Sequence, residues 1–452
     1  MLTKNNFFLV GIKGVGMTAL ASCLLDAGKN VSGSDVSESF PTSDNLQRLG
    51  VQIIGLDEPL PETAEVVIYT GSHGGRNQQQ VVTARERGLI TMTHMAAVAA
   101  FFNQKLGVAV CGVGGKSSIS AMLAFVGQKL QPQSYAVGVG EILGLEKTGQ
   151  YLPESKYFIV EADEYIADPT VLGTPEAHIR FLYLQPQIII CPNLRFDHPD
   201  VYRDFEQTKQ VFLQFFTQLK ANGILIYNGD DENLRYLAAQ LQAKRSDVTL
   251  VSYGLGESND YCLANYPIQL QLPGEFNRLN ALAALVAAKQ MGWQEQQVLA
   301  ALAQYRSVRR RMERLESDNG VEIWDDYAHH PSEVQASIKA LQAYRPGKRL
   351  VVAFQPHTYS RTKQLLVDFA QALATNDEVV LLDIFASARE QFDPTISSQM
   401  LAGEIVKINP QVRVTNLTNP ESLKKYYHEQ MSAGEILLTL GAGDIYHAVR
   451  SD

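Results

Sequence analysis

The stretch Leu106-Gly107-Val108-Ala109-Val110-Cys111-Gly112-Val113-Gly114-Gly115-Lys116-Ser117-Ser118 decides the class of this chain. Leu106 to Cys111 is an apolar run of strand length, and a glycine-rich turn follows it. Ile119, Met122, Leu123 and Val126 then recur at i, i+3, i+4 and i+7, the spacing of one helix face. Strand, glycine loop and helix in that order build a phosphate loop. Backbone N–H groups of Gly112, Gly114, Gly115 and Ser118 line it, Lys116 reaches the terminal phosphates, and the Ser117 hydroxyl can ligate Mg²⁺. The spacing is shorter than G-x-x-x-x-G-K-[ST], so the flanking strand and helix carry the reading against an ordinary glycine turn with an exposed lysine.

A related loop lies about 100 residues earlier, at Gly11-Ile12-Lys13-Gly14-Val15-Gly16-Met17-Thr18-Ala19, directly after the apolar run Phe7–Val10. Gly14, Gly16 and Ala19 fit the G-x-G-x-x-A form that lets backbone N–H groups and a helix N-terminus approach a diphosphate. Asp35 ends the next apolar run, where an acid can bond a ribose hydroxyl. The pattern recognises a diphosphate on a nucleoside and leaves NAD and a UDP-sugar both open. A dehydrogenase has no use for a triphosphate site, so the two loops together favour an enzyme that spends ATP on a nucleotide-linked substrate.

Outward from these loops the chain repeats a short apolar run, a polar or glycine turn and a helix-period stretch, the pattern of parallel sheets with crossover helices. Strands are expected at Phe7–Val10, Val31–Ser34 and Val66–Thr70, then at Leu106–Cys111, Tyr157–Val160, Ile188–Cys191 and Ile224–Tyr227. The stretch Ser246–Gln271 reads as β-structure, and Asn280–Met291 and Gln296–Gln304 as helices. Further strands are expected at Val321–Trp324, Leu350–Phe354, Glu378–Leu382 and Glu435–Leu440. The 452 residues fit about three domains. They divide as 1–104, 105–313 and 314–452.

Composition excludes several classes. With 45% hydrophobic and 19% charged residues the chain is globular, and a net charge of −9 with no basic patch excludes a nucleic-acid binder. No apolar run is long enough to span a membrane, and the start of the chain does not read as a signal peptide. The four cysteines, Cys23, Cys111, Cys191 and Cys262, have no metal-ligand spacing and read as buried thiols of a cytoplasmic protein.

Seven further segments resemble the Mur ligase family over nearly the whole chain. Val160-Glu161-Ala162-Asp163-Glu164 resembles E-A-D-E, and Asn193-Leu194-Arg195-Phe196-Asp197-His198 resembles N-x-x-x-D-H. Gly274 to Ala281 resembles G-x-H-N-x-x-N-A, and Arg309-Arg310-Arg311-Met312-Glu313 the R-R-x-E that follows. Asp325-Asp326-Tyr327-Ala328-His329-His330-Pro331, Phe354 to Thr362 (F-Q-P-H-x-Y-S-R-T) and Gly441-Ala442-Gly443-Asp444-Ile445 complete the set, and the last two resemble the branch that adds L-alanine.

The resemblance implies three α/β domains: a Rossmann-like N-terminal domain for the UDP-substrate, a P-loop-type central ATPase domain with a mostly parallel sheet, and a Rossmann-like C-terminal domain for the amino acid. It implies a ligase that joins L-alanine to UDP-N-acetylmuramate through an acyl phosphate, with ATP and Mg²⁺ (or Mn²⁺), in a monomer or weak homodimer. Carried over residue by residue, Glu161 and His198 join Ser117 as metal ligands, and Asn277 and Asn280 face adenine. Arg310 and Asp326 contact the ATP phosphates and ribose, with Arg311 an alternative to Arg310 because three arginines leave the register open. His329, His357 and Arg361 face the substrate carboxylate and the incoming amino acid, and with Lys116, Glu161 and His198 form the catalytic set. Gly14, Val15, Gly16, Asp35 and Ser72 take the UDP moiety. His330, before Pro331, reads equally as structural or functional.

The chain also departs from the family pattern. Val113, Gly114, Ser117 and Ser118 stand where the family phosphate loop G-T-H-G-K-T-T has T, H, T and T. Ser117 keeps the metal-binding hydroxyl, whereas Gly114 removes an imidazole and loosens the loop. Phe276 replaces a histidine, and Asn77-Gln78-Gln79-Gln80 replaces N-P-E. Three rivals remain at this level: a ligase that recycles murein tripeptide, an NAD-dependent oxidoreductase, and a non-catalytic nucleotide-binding homologue.

Overall fold

Apolar runs bounded by glycine turns become parallel strands here because crossover helices cover both sheet faces and leave no solvent side to alternate toward. The computed structural model describes residues 1–38, 40–171, 173, 178–198, 200–317, 319–386 and 390–450. In the first sheet the strands Gln52–Gly55, Asn30–Asp35, Asn6–Val10, Val66–Tyr69 and Ile90–Thr93 lie side by side in that order, all parallel. Strand order reverses between Asn6–Val10 and Val66–Tyr69, so the crevice beyond their C-terminal ends is a ligand position. The glycine loop at Gly11–Gly16 leaves the first of these strands, and Thr70–Gly74 leaves the second.

The second sheet has eight strands. Around its centre Ile188–Cys191, Leu106–Val110 and Tyr157–Glu161 are neighbours, all parallel, and the strand Leu106–Val110 runs into the helix Lys116–Leu130 through the phosphate loop. The ends of the three strands therefore present Gly112–Ser117, Glu161–Glu164 and Pro192–His198 at one sheet edge. The expected β-structure between Ser246 and Gln271 is present as Thr249–Gly254 and Tyr261–Cys262. Ile119, Met122, Leu123 and Val126 are buried, as their spacing requires.

In the third sheet Glu322–Asp326, Ile436–Leu440, Leu350–Phe354, Glu378–Leu381 and Arg413–Asn416 are parallel, and Glu313–Leu315 adds an antiparallel edge. Its residues alternate between two cores: Val352, Phe354 and Leu438 pack on one face, Val351, Ala353 and Leu437 on the other. The strands Gln52–Gly55, Ile90–Thr93 and Arg413–Asn416 lie outside the expected set. All three are partly exposed and lie at sheet edges, so they lack a full apolar run.

The architecture is thus three α/β domains with mostly parallel sheets, condensed into two compact units. One comprises Met1–Leu270 with Arg278–Val308, the other Gln271–Asn277 with Arg309–Asp452. The first two sheets fall in one unit because they share a core, in which Phe7, Leu9 and Phe102 join Phe158, Phe181 and Phe212. Lys147 Nζ also donates to Asp26 Oδ1 at 2.6 Å across the two domains of that unit. All four cysteines are buried free thiols. Among the described residues no helix is long and apolar enough to cross a membrane.

Candidate active site

The phosphate loop turns into its helix at Gly115, whose φ of +85° is the left-handed conformation that favours glycine. A Cβ there would also come within 2.8 Å of Asn280 Oδ1, so Asn280 rests directly on the loop. Lys116 Nζ donates to both oxygens of Glu164, at 2.8 and 2.6 Å, and Ser117 Oγ donates to Glu161 Oε1 at 2.8 Å. The other oxygen of Glu161 accepts from Gly138 N at 3.0 Å. Glu164 alone touches the ammonium, and Asp163 and Glu161 act on it through space. Burial works to lower the Lys116 pKa, but Glu164, Asp163 and Glu161 outweigh it, so the pKa rises and the ammonium stays charged. Burial raises the Glu161 carboxyl above the usual carboxylate range, against the pull of Lys116.

His198 adopts φ of +58°, and its Nε2 lies 3.8 Å from Glu164 Oε1 and 3.8 Å from Asp197 Oδ2. Its backbone carbonyl closes the following turn by accepting from Val201 and Tyr202, while the ring faces the carboxylates. The structure thus pairs Ser117 with Glu161, and groups His198 with Glu164 and Asp197, whose ligand atoms all lie within 4.8 Å of one another. A hydroxyl and several carboxylates are the hard oxygen donors that Mg²⁺ takes, so the donor set fits a hard divalent cation, with His198 its softest member. Asp197 precedes His198 in the chain, whereas the approach of Glu164 to His198 depends on two separate strand ends.

At the first glycine loop, Gly14 caps the helix Val15–Asp26, and Val15 is exposed at its start. A Cβ on Gly16 would come within 2.8 Å of the His94 ring. Asp35 is buried and accepts from Lys13 N at 2.7 Å and Val36 N at 2.8 Å, with His73 Nε2 at 3.6 Å. Its carboxylate therefore shapes the glycine loop from beneath. Ser72 lies in the neighbouring loop, where its N–H donates to Thr70 Oγ1 at 3.5 Å.

His94 has no sequence-level role, yet burial, with the Arg180 charge, pushes its pKa down to about 4. Among the described residues its buried Nε2 has no hydrogen-bond partner. A histidine held neutral in the folded protein and ordinary in the unfolded one binds fewer protons when folded, between pH 6.5 and about 4. Its contribution is intact above pH 6.5 and is lost as pH falls through that window. Urea midpoints at pH 7, 5.5 and 4.5 should therefore fall more steeply for the wild type than for His94→Gln; parallel curves would remove His94 as the cause.

In the other unit, the strand ends bring His329, His357 and Arg361 together. The His329 and His357 rings lie 6.5 Å apart, and Arg361 Nη1 lies 3.3 Å from His357 Nδ1. Burial and the Arg361 charge push His357 down to about 4, and burial lowers His329 too, so His357 is neutral near pH 7 and Arg361 carries the positive charge. Glu390, which the sequence did not single out, accepts from Tyr359 N at 2.6 Å and Ser360 N at 2.9 Å beside them. His330 resolves as structural: it caps the helix Pro331–Tyr344 in a capping box with Glu333.

The arginine run also resolves. Arg310 is buried with φ of +60°; its guanidinium donates to Gly441 O at 2.5 Å, Gly443 O at 3.0 Å and Asp325 Oδ2 at 3.2 Å, and lies over the Tyr446 ring. Arg311 is exposed and lies 5.8 Å from the Tyr327 ring centre, close enough to bias both Asp326 and His329. Asp326 is buried, with Ala328 N at 2.9 Å, Met312 N at 3.2 Å and Ser337 Oγ at 3.2 Å on its two oxygens. Burial raises its pKa to about 6. Asn277 is buried and donates back to Pro273 O at 2.7 Å.

Three family models match in chain order: Mur ligase family, catalytic domain, over residues 7–106; Mur ligase middle domain over 110–288; and Mur ligase, glutamate ligase domain, over 310–443. The chain is 30% identical to the UDP-N-acetylmuramate–L-alanine ligase of Desulfitobacterium hafniense, across 98% of each chain. It belongs to the Mur ligase family. The ligase of the same name from Ligilactobacillus salivarius is 32% identical, over 98% of this chain and 96% of that one. Among solved structures, a UDP-N-acetylmuramate–alanine ligase from Thermotoga maritima superposes with a TM-score of 0.77 at 22% identity, covering 99% and 98% of the two chains. A murein peptide ligase from Psychrobacter arcticus gives 0.66 at 19%, covering 98% and 97%. These structural likenesses establish the Mur ligase fold. Membership removes the oxidoreductase left open by the first glycine loop, since the family's members are ATP-dependent ligases.

Proposed function

We propose that this Mur ligase joins L-alanine to UDP-N-acetylmuramate in the cytoplasm, converting the substrate carboxylate to an acyl phosphate at the expense of ATP and releasing ADP and phosphate. The observation that carries the proposal is the placement of Lys116 and Ser117 against Glu161 and Glu164, in the same compact unit as the diphosphate loop. Full-length likeness to ligases of that name supports the choice of substrates.

Residues 1–104 would hold the UDP moiety through Gly14, Val15, Gly16 and Ser72, with Asp35 setting the loop's shape. Residues 105–313 would hold ATP. A carboxylate attacking a triphosphate meets anion repulsion, and Lys116, together with N–H groups at the start of its helix, offsets it. Ser117, Glu161 and His198, joined by Glu164 and Asp197, would hold Mg²⁺ or Mn²⁺, which neutralises phosphate charge when bound. Asn280 beside Gly115 and Asn277 would face adenine. Residues 314–452 would receive the amino acid, its carboxylate on Arg361 and its amine toward neutral His357 and His329. Because Arg310 is committed to Gly441, Gly443 and Asp325, Arg311 takes the phosphate-facing role.

Phosphate release from ATP, measured with Mg²⁺ and UDP-N-acetylmuramate, should require L-alanine. Release with the murein tripeptide but not with L-alanine would assign the recycling reaction instead. Ser117→Thr keeps a hydroxyl and should retain activity within about threefold, whereas Ser117→Ala should lose about 10²-fold. Equal rates for the two variants would take Ser117 out of the metal site.

A further inference from the structure

Asn193 stands between the strand Ile188–Cys191 and His198, and its carboxamide grips one residue of the phosphate loop at both ends. Gly114 N donates to Asn193 Oδ1 at 2.9 Å, and Asn193 Nδ2 donates to Gly114 O at 2.8 Å. The grip is itself anchored. A Cβ at Gly112 would come within 2.8 Å of Asn193 O, and Pro192 lies against both Gly112 and Gly115. On the far side, Leu194 N donates at 2.9 Å to Asp231, the residue that caps the helix Glu232–Lys244.

Gly114 is exposed and, unlike Gly112 and Gly115, does not adopt a positive φ, so its backbone does not require glycine. A Cβ there would meet the Asn193 carboxamide, with Nδ2 at 3.4 Å and Oδ1 at 3.9 Å, ordinary contacts. Glycine at this position therefore adds freedom that the loop must lose on binding phosphate. With the Gly114 N–H occupied by Asn193, the anion cradle falls to N–H groups at the start of the helix Lys116–Leu130.

We propose that Asn193 is a positioning residue for ATP: its carboxamide holds the Gly114 peptide in the phosphate-binding conformation, supplies the restraint that a side chain at 114 would give, and ties the loop to the segment carrying His198. The proposal rests on Gly112–Ser118 being the ATP phosphate loop. Both bonds are uncharged and partly solvated, so their loss is worth a modest factor in affinity and not an abolition of chemistry.

The test is titration of the full chain with a fluorescent ATP analogue and Mg²⁺, alongside steady-state kinetics and thermal melts. Asn193→Ala should weaken the analogue about tenfold and raise KM for ATP to match, with kcat within about threefold and KM for UDP-N-acetylmuramate unchanged. Adding Gly114→Ala to that variant should recover at least about threefold in affinity, because the added Cβ restricts the same peptide. Asn193→Ser gives the same readings if the alanine form is unstable. Wild-type affinity in Asn193→Ala overturns the proposal. So does a uniform fall in melting temperature, kcat and both KM values that Gly114→Ala leaves untouched. A wild type that binds no analogue overturns the phosphate-loop reading itself and this proposal with it.

Discussion

Lys116→Ala should lower kcat by about 10³-fold, roughly 4 kcal/mol of barrier, with affinity for UDP-N-acetylmuramate within about twofold. On the proposed reading the ammonium is the charge aimed at the phosphates, and its value grows in a site where burial strengthens electrostatics. The same substitution leaves Glu164 buried without its closest cation, so that carboxyl should take up a proton rather than remain charged. Lys116→Arg should not restore the rate, since a planar guanidinium is not a compact point charge. Pre-steady-state ADP formation together with calorimetric titration of the UDP-substrate checks both halves. A loss of substrate affinity as large as the loss of rate would mean that the loop region had collapsed.

The second large effect separates two adjacent arginines. Arg310→Ala should destabilise its unit by about 3 kcal/mol, because it strips a buried partner from Asp325 and leaves the Gly441 and Gly443 carbonyls unpaired. Asp325 keeps Thr439 Oγ1 at 2.8 Å and Arg450 at 3.4 Å, which holds the loss to the lower end of the range for broken buried pairs. Arg311→Ala, at an exposed side chain, should cost less stability than Arg310→Ala and, on the proposed reading, cut turnover by about 10²–10³-fold, the cost of removing one charge aimed at a transferring phosphoryl group. Urea unfolding and steady-state rates on the two variants decide it. Loss of rate without loss of stability in Arg310→Ala would reverse the assignment.

Much of the candidate site was legible because the chemistry proposed for it demands local patterns. A phosphate loop needs glycines, a lysine and a hydroxyl within a few residues, so Gly112–Ser117 is readable without a fold. His357 and Arg361 are four residues apart across the start of a short helix, and the same span brings them to 3.3 Å. The strands Leu350–Phe354 and Ile188–Cys191 were bounded correctly because burial on both faces makes every residue apolar. Arg413–Asn416 escaped notice because an exposed edge strand does not need that run.

The sequence alone determined the two glycine loops, the parallel α/β class and the set of residue types the reaction needs. It did not determine which groups are spent on the protein itself. Asp35 and Asp326 read as ribose acids, and the fold adds that each also accepts from neighbouring backbone N–H groups on both oxygens. Arg310 and Arg311 are the same letter in the same motif; one closes a core between Gly441 and Asp325, and the other stays at the surface. Asn193 and Gly114 are 79 positions apart and form one clasp. Such distinctions depend on where distant strand ends meet, and a buried donor must find an acceptor wherever the fold has placed one.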